Sequence, residues 1–161
     1  QFAVVTSIYQ NRDPSTRIES VKNTLESYGL TLPKKAVAES TANIDGGELA
    51  IKELLAKGVK FTAVVAYNDL MAIGAIHALF DAGLRVPEDV SVIGFDDLPA
   101  ARSCRPRLTT MHYPIEEMAA YAAKLAISLS DPANSPGSKT HLFIPELVER
   151  DSVSQRGGTN K

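Results

Sequence analysis

Residues 61–97 read F-T-A-V-V-A-Y-N-D-L-M-A-I-G-A-I-H-A-L-F-D-A-G-L-R-V-P-E-D-V-S-V-I-G-F-D-D, and their reading decides the fold. An apolar β-branched run over 63–66 breaks at the polar pair Asn68-Asp69. A helix-period segment follows and stops at Gly83. A turn through Pro87 opens a second apolar run, 90–93, which ends in the polar pair Asp96-Asp97. The pattern is strand–helix–strand, with polar groups closing both strands. Parallel strands joined by a helix carry their carboxyl ends on one edge, and open α/β sheets bind ligands at that edge.

Working outward, the upstream chain repeats the alternation. Residues 2–6 form a short buried strand, and 9–14 a polar loop in which Asp13, Ser15 or Thr16 could cap a helix. Ile18, Val21, Leu25 and Tyr28 recur at helical spacing, and Gly29 closes that helix. A weak strand spans 36–39. A second helix starts at Gly46-Gly47, with Ala50 and Leu54 inward and Ile51 and Leu55 beside them. The expected class is α/β, a doubly wound parallel sheet.

Downstream of Asp97 the pattern changes. Residues 98–107, with Pro99 and Pro106, read as an irregular connection. Residues 108–113 are strand-like, and Pro114 opens a helix whose apolar stripe is Ile115, Met118, Ala122, Leu125, Ala126 and Leu129. After a Pro/Ser/Gly-rich loop at 131–138 come extended segments at 140–144 and 146–150. The tail from Arg156 is expected to be disordered. The late strand and helix have no obvious place in the four-stranded sheet, so they are assigned to a second, mostly missing lobe.

Composition bounds the function. With 161 residues and a net charge of -2, the chain has no concentrated basic face for nucleic acid. No apolar run approaches the roughly 20 residues of a membrane span. Cys104 is the only cysteine, so no intrachain disulfide or cysteine-rich metal site can form, and a cytoplasmic location is expected. The chain opens on Gln1 inside an apolar run, which reads as an interior start of a longer protein.

Catalytic readings find no support. There is no nucleophile elbow, no phosphate loop with a lysine and no metal-spaced His/Asp/Glu set. His77, His112 and His141 read as structural, and Gly46-Gly47 at a helix start has no partner cation to make an anion site. No cofactor, metal or catalytic residue is expected. Three positions point to a ligand instead. Asn68 is open between a turn residue and a ligand contact, since a planar amide both donates to and accepts from hydroxyls. Asp96, the first polar side chain beyond a buried strand, can accept two hydroxyl hydrogen bonds from one sugar. Arg17, early in the first helix, faces the same edge; the competing reading is a surface pair with Asp13, worth little. Asp69 reads as the cap of its helix and Asp97 as a solvated turn.

The segments A-V-V-A-Y-N-D-L-M-A-I-G-A (63–75), G-L-R-V-P-E-D-V-S-V-I-G-F-D-D (83–97), R-P-R-L-T-T-M-H-Y-P (105–114) and P-E-L-V-E-R-D-S-V (145–153) occur in that order. In them the chain resembles the effector-binding core of the lactose/galactose repressor (LacI/GalR) family of bacterial transcription regulators, and within it the galactose repressors and isorepressors. The resemblance implies two α/β lobes like those of periplasmic sugar-binding proteins, with effector between them and an N-terminal DNA-binding head. Residues 1–97 and 140–155 would form the carboxyl-terminal lobe. Residues 98–139 would cross over and carry a strand and helix of the amino-terminal lobe, and 156–161 would be tail. Arg17, Asn68 and Asp96 match the family's sugar-contacting arginine, asparagine and aspartate.

The resemblance further implies a small sugar effector, a galactose-like hexose. It implies a homodimer formed through the second and third helices and the stretch near Cys104, and operator DNA bound only through the missing head. One departure stands out: several relatives place an aromatic platform where Ala42 stands, so an apolar platform must come from elsewhere. A sugar-binding protein of a transport system would share the fold and is the alternative reading.

Overall fold

The computed structural model describes residues 1–8, 12–130 and 140–155. Four parallel strands form the central sheet: β1 (Phe2–Ser7), β2 (Val37–Ser40), β3 (Ala63–Ala66) and β4 (Ser91–Ile93), in the order β2-β1-β3-β4. Registers Val4↔Val37, Val4↔Val65 and Val65↔Ile93 stack β-branched side chains across the sheet. Helices α1 (Arg12–Ser27), α2 (Ile44–Ala56) and α3 (Asp69–Asp81) make the crossovers. Right-handed crossovers in this strand order put α1 on one face and α2 with α3 on the other. The expected α/β sheet is present.

The core lies on the α2/α3 face. Val5, Val64 and Val92 alternate inward from the strands to meet Ile51, Leu54, Met71, Ile76 and Leu79, all essentially solvent-free. Each such side chain contributes about 1.5–3 kcal/mol by leaving water. Glycine lets the two helices close on one another. A Cβ on Gly47 would lie 2.1 Å from the Met71 carbonyl oxygen, and one on Gly74 would lie 1.9 Å from that of Ile44. This revises the sequence reading of Gly46-Gly47 as the start of α2. The helix begins at Ile44, capped by the Asn43 side chain accepting from the Gly46 N–H, and the glycines are buried inside its first turn.

Other boundaries also move. The first helix begins at Arg12, ahead of the expected caps. Residues 98–107 are not wholly irregular: Pro99–Ser103 forms a short helix, α4, with Pro99 at its first position and Ala101 buried. The expected loop over 131–138 and the tail over 156–161 lie outside the described residues.

β5 (Thr110–His112) pairs antiparallel with β6 (Glu146–Val148) in a separate two-stranded sheet, and isolated bridges link this segment to the end of β4. Thr109 and His112 bridge Ile93 and Asp96 in parallel, with Gly94 N–H donating to Thr109 O at 3.0 Å and Asp96 N–H to Met111 O at 2.9 Å. On β4 itself, the Val92 N–H donates to the Ser152 carbonyl at 2.8 Å. Helix α5 (Ile115–Leu129) follows and buries none of its residues; Ile115, Met118, Leu125 and Leu129 are all exposed.

Candidate ligand-binding site

The carboxyl ends of β3 and β4 deliver two sequences of the same kind, Tyr67-Asn68-Asp69 and Phe95-Asp96-Asp97. Arg17 on α1 reaches both. Its guanidinium sits 4.1 Å from the centre of the Phe95 ring and 4.7 Å from that of Tyr67. It donates to the Tyr67 carbonyl at 2.6 Å and to the Tyr113 hydroxyl at 3.3 Å. Tyr113 in turn packs on Phe95 with ring centres 5.0 Å apart. Stacking on the two rings and donating to Tyr67 and Tyr113 fix the position of the guanidinium at the carboxyl edge of the sheet. The structure thus brings Arg17 against the residues immediately preceding Asn68 and Asp96.

Asn68 takes the capping role expected of Asp69. Asn68 is the N-cap of α3: its Oδ1 accepts from the Met71 N–H at 2.9 Å, and its Nδ2 donates to the Ala42 carbonyl at 3.2 Å. An amide has two donors and two lone pairs, so these bonds leave one of each for a ligand. Asp69, read from sequence as the cap, is fully buried one residue further on. Its carboxylate accepts from the Leu98 N–H at 2.7 Å and from the Thr110 hydroxyl at 2.5 Å. Burial pushes this carboxyl above the ordinary value, against those two hydrogen bonds.

Asp96 holds φ = 113° and Asp97 φ = 53°, a left-handed backbone at two consecutive non-glycine residues. Such strain costs on the order of 1–3 kcal/mol per residue and collects where a side chain must be aimed. Asp96 also borders an open groove with Leu98, His112, Tyr113 and Glu116. Asp97 is not the solvated turn that the sequence suggested. Its side chain is 3% exposed and paired with Arg102, Arg150 and His112. Burial pushes its carboxyl up, but the Arg102 and Arg150 guanidiniums outweigh that and hold it below the ordinary value.

The histidines have structural partners. His77 Nδ1 lies 3.3 Å from Glu48 Oε1 and His112 Nδ1 lies 3.1 Å from Asp97 Oδ2. His141 stacks on Tyr121 with ring centres 4.3 Å apart. Cys104 is half-buried and its thiol donates to the Ala101 and Pro106 carbonyls; burial raises its pKa. Among the described residues no group of three or more His, Cys, Asp or Glu side chains could hold a metal ion, and no helix is long and apolar enough to cross a membrane.

Sequence reasoning missed the aromatic walls. Ala42 supplies only a carbonyl; the ring surfaces come from Tyr67, Phe95 and Tyr113. The available signal was position, an aromatic residue directly before each polar pair.

Residues 1–153 match the periplasmic binding protein-like domain family. The chain belongs to that family. It is 44% identical over 142 residues to the HTH-type transcriptional regulator GalR of Escherichia coli strain K12, spanning 88% of this chain and 41% of that protein. Among solved structures it is similar to a sugar-binding transcriptional regulator of the LacI family from Escherichia coli, complexed with phosphate. The TM-score is 0.84 and the identity 36%, covering 94% of this chain and 54% of that one. It is also similar to a transcriptional regulator CelR–cellobiose complex, with a TM-score of 0.86 and 27% identity over 94% of this chain and 46% of that one. The chain therefore spans about half the length of the proteins it matches, and they are transcriptional regulators rather than enzymes.

Proposed function

We propose that this chain is the sugar-sensing, dimerising part of a LacI/GalR-type transcriptional repressor that acts in the cytoplasm. One observation carries the reading: Arg17 is held against the residues that precede Asn68 and Asp96, at the carboxyl edge of a parallel sheet. In this reading the three side chains hydrogen-bond the ring hydroxyls of a hexose, with galactose the first candidate because the chain is similar to GalR. The relatives' description as regulators favours this over a transport protein with the same fold.

The chain performs no catalysis. Residues 1–97, with the closing segment through 155, form most of a carboxyl-terminal lobe, and α5 presents its apolar stripe to an amino-terminal lobe. A helix whose apolar residues all face water needs such a partner. Sugar closing the two lobes shifts the population between arrangements. It changes operator affinity only through its different affinity for the two. Operator contact and the homodimer's two half-sites belong to the complete protein, with α2, α3 and the region of Cys104 as the dimer face.

The test uses the full-length protein. Calorimetry with galactose, glucose and cellobiose, paired with operator binding, should show a hexose that binds and weakens operator affinity. Arg17→Ala and Asp96→Ala should abolish that response and leave sugar-free operator binding intact. Wild-type induction in either variant would overturn the assignment.

A further inference from the structure

Asp69 is a buried carboxylate that the proposed sugar contacts do not use, and it touches the strained turn from both sides. Its backbone N–H donates to the Phe95 carbonyl at 2.8 Å, just before Asp96. Its carboxylate accepts from the Leu98 N–H, just after Asp97. The same carboxylate takes the Thr110 hydroxyl, and Thr110 Oγ1 lies 3.5 Å from the Asp97 N–H as a weak acceptor. One more neighbour makes room for it: a Cβ on Gly94 would stand 2.4 Å from Asp69 Oδ1.

We infer that Asp69, together with Thr110, is the positioning pair for Asp96, and that it ties the ligand edge to the crossover strand β5. Two consecutive left-handed residues revert to extended backbone unless their surroundings over-determine them. Here the carbonyl before the turn and the N–H after it are both fixed by one residue at the start of α3. A carboxylate suits the task because both its oxygens only accept. An alanine would remove both acceptors and leave the buried Leu98 N–H and Thr110 hydroxyl without this partner. Thr110 belongs to β5, so movement of that strand pulls on the turn that aims Asp96.

The inference rests on the sugar-sensing reading, and the experiment separates the two. In the full-length protein, Thr110→Val keeps the side-chain shape and removes the hydroxyl, while Thr110→Ser keeps the hydroxyl. Hydrogen exchange should speed up about tenfold at the Asp97 and Leu98 amides in Thr110→Val and stay near wild type in Thr110→Ser. Hexose affinity should fall about tenfold in Thr110→Val, recover in Thr110→Ser, and leave sugar-free operator affinity unchanged in both. Asp69→Ala, which removes both acceptors, serves as the second variant if Thr110→Val does not fold, with the same expected direction. Unchanged exchange at both amides, or faster exchange with unchanged hexose affinity, would overturn the positioning role. A wild-type protein that binds no hexose would reject the sugar-sensing reading instead, and the exchange data would still decide whether the pair holds the turn.

Discussion

Arg150 donates to the buried carboxylate of Asp97 from a segment that returns to the sheet after β6, closing the crossover against the end of β4. It also donates to the Leu108 carbonyl at 2.8 Å, so one side chain joins the start of the crossover to its return. Arg150 is 11% exposed at its side chain and Asp97 3%, so neither can regain water if the other is removed. Arg150→Met is expected to cost about 1.5–3 kcal/mol, since the buried carboxylate loses its buried charged partner and keeps only the more exposed Arg102 and His112. Arg102→Ala should cost under about 1 kcal/mol, because its side chain is 63% exposed and solvent competes for the pair. Urea unfolding of both variants measures the contrast, and equal losses would refute it.

The same cluster fixes the sign of an acid response. Asp97 has a folded pKa below its unfolded value of about 3.9, so its stabilisation is present above that value and is lost as pH falls through the folded one. Asp69 is raised by burial and has the opposite sign. Its contribution is present below the unfolded value and is lost as pH rises through the folded one. Asp97→Asn should therefore be much less stable than wild type near neutral pH, with the gap closing below about pH 4. Urea midpoints taken from pH 3 to 7 would show it.

Two glycines give opposite expectations on one helix pair. Gly74→Ala drives a Cβ into the Ile44 carbonyl, which is backbone and cannot yield, so about 3 kcal/mol or more should be lost as α2 and α3 are pushed apart. Gly83 has φ = 74° with nothing within 4 Å, so Gly83→Ala carries only the left-handed penalty of roughly 1 kcal/mol. Thermal unfolding of the two variants should differ accordingly.

Asn68 separates capping from recognition. Asn68→Asp keeps the acceptor for the Met71 N–H but loses the donor to the Ala42 carbonyl, whereas Asn68→Ala loses both at a cost of about 1 kcal/mol. Asn68→Asp should keep most of the stability and still lose hexose affinity in the full-length protein. Calorimetry beside a melting curve distinguishes the two effects.

The strands and helices were legible because their periods differ, 2 for a strand and about 3.6 for a helix, and because Gly29, Gly58 and Gly83 end helices with positive φ. The edge carrying Arg17, Asn68 and Asp96 followed from strand order. The division of labour between Asn68 and Asp69 did not, since either side chain can cap a helix. Leu98 and Thr110, far along the chain, claim the Asp69 carboxylate and leave the cap to its neighbour. The bridges that tie Thr109 and His112 to Ile93 and Asp96 were hidden for the same reason: they join segments far apart along the chain. Pro99 was read as a breaker when it is also a favoured first residue of a helix, as in α4.

The left-handed backbone of Asp96 sets stability against the ligand role proposed for its side chain. Glycine adopts φ = 113° without steric penalty, so Asp96→Gly should raise the unfolding midpoint and, on the proposed function, abolish the response to sugar. On the proposed function, a screen for thermostable variants would tend to recover chains that have lost the Asp96 sugar contact, so robustness and ligand recognition would pull this position in opposite directions.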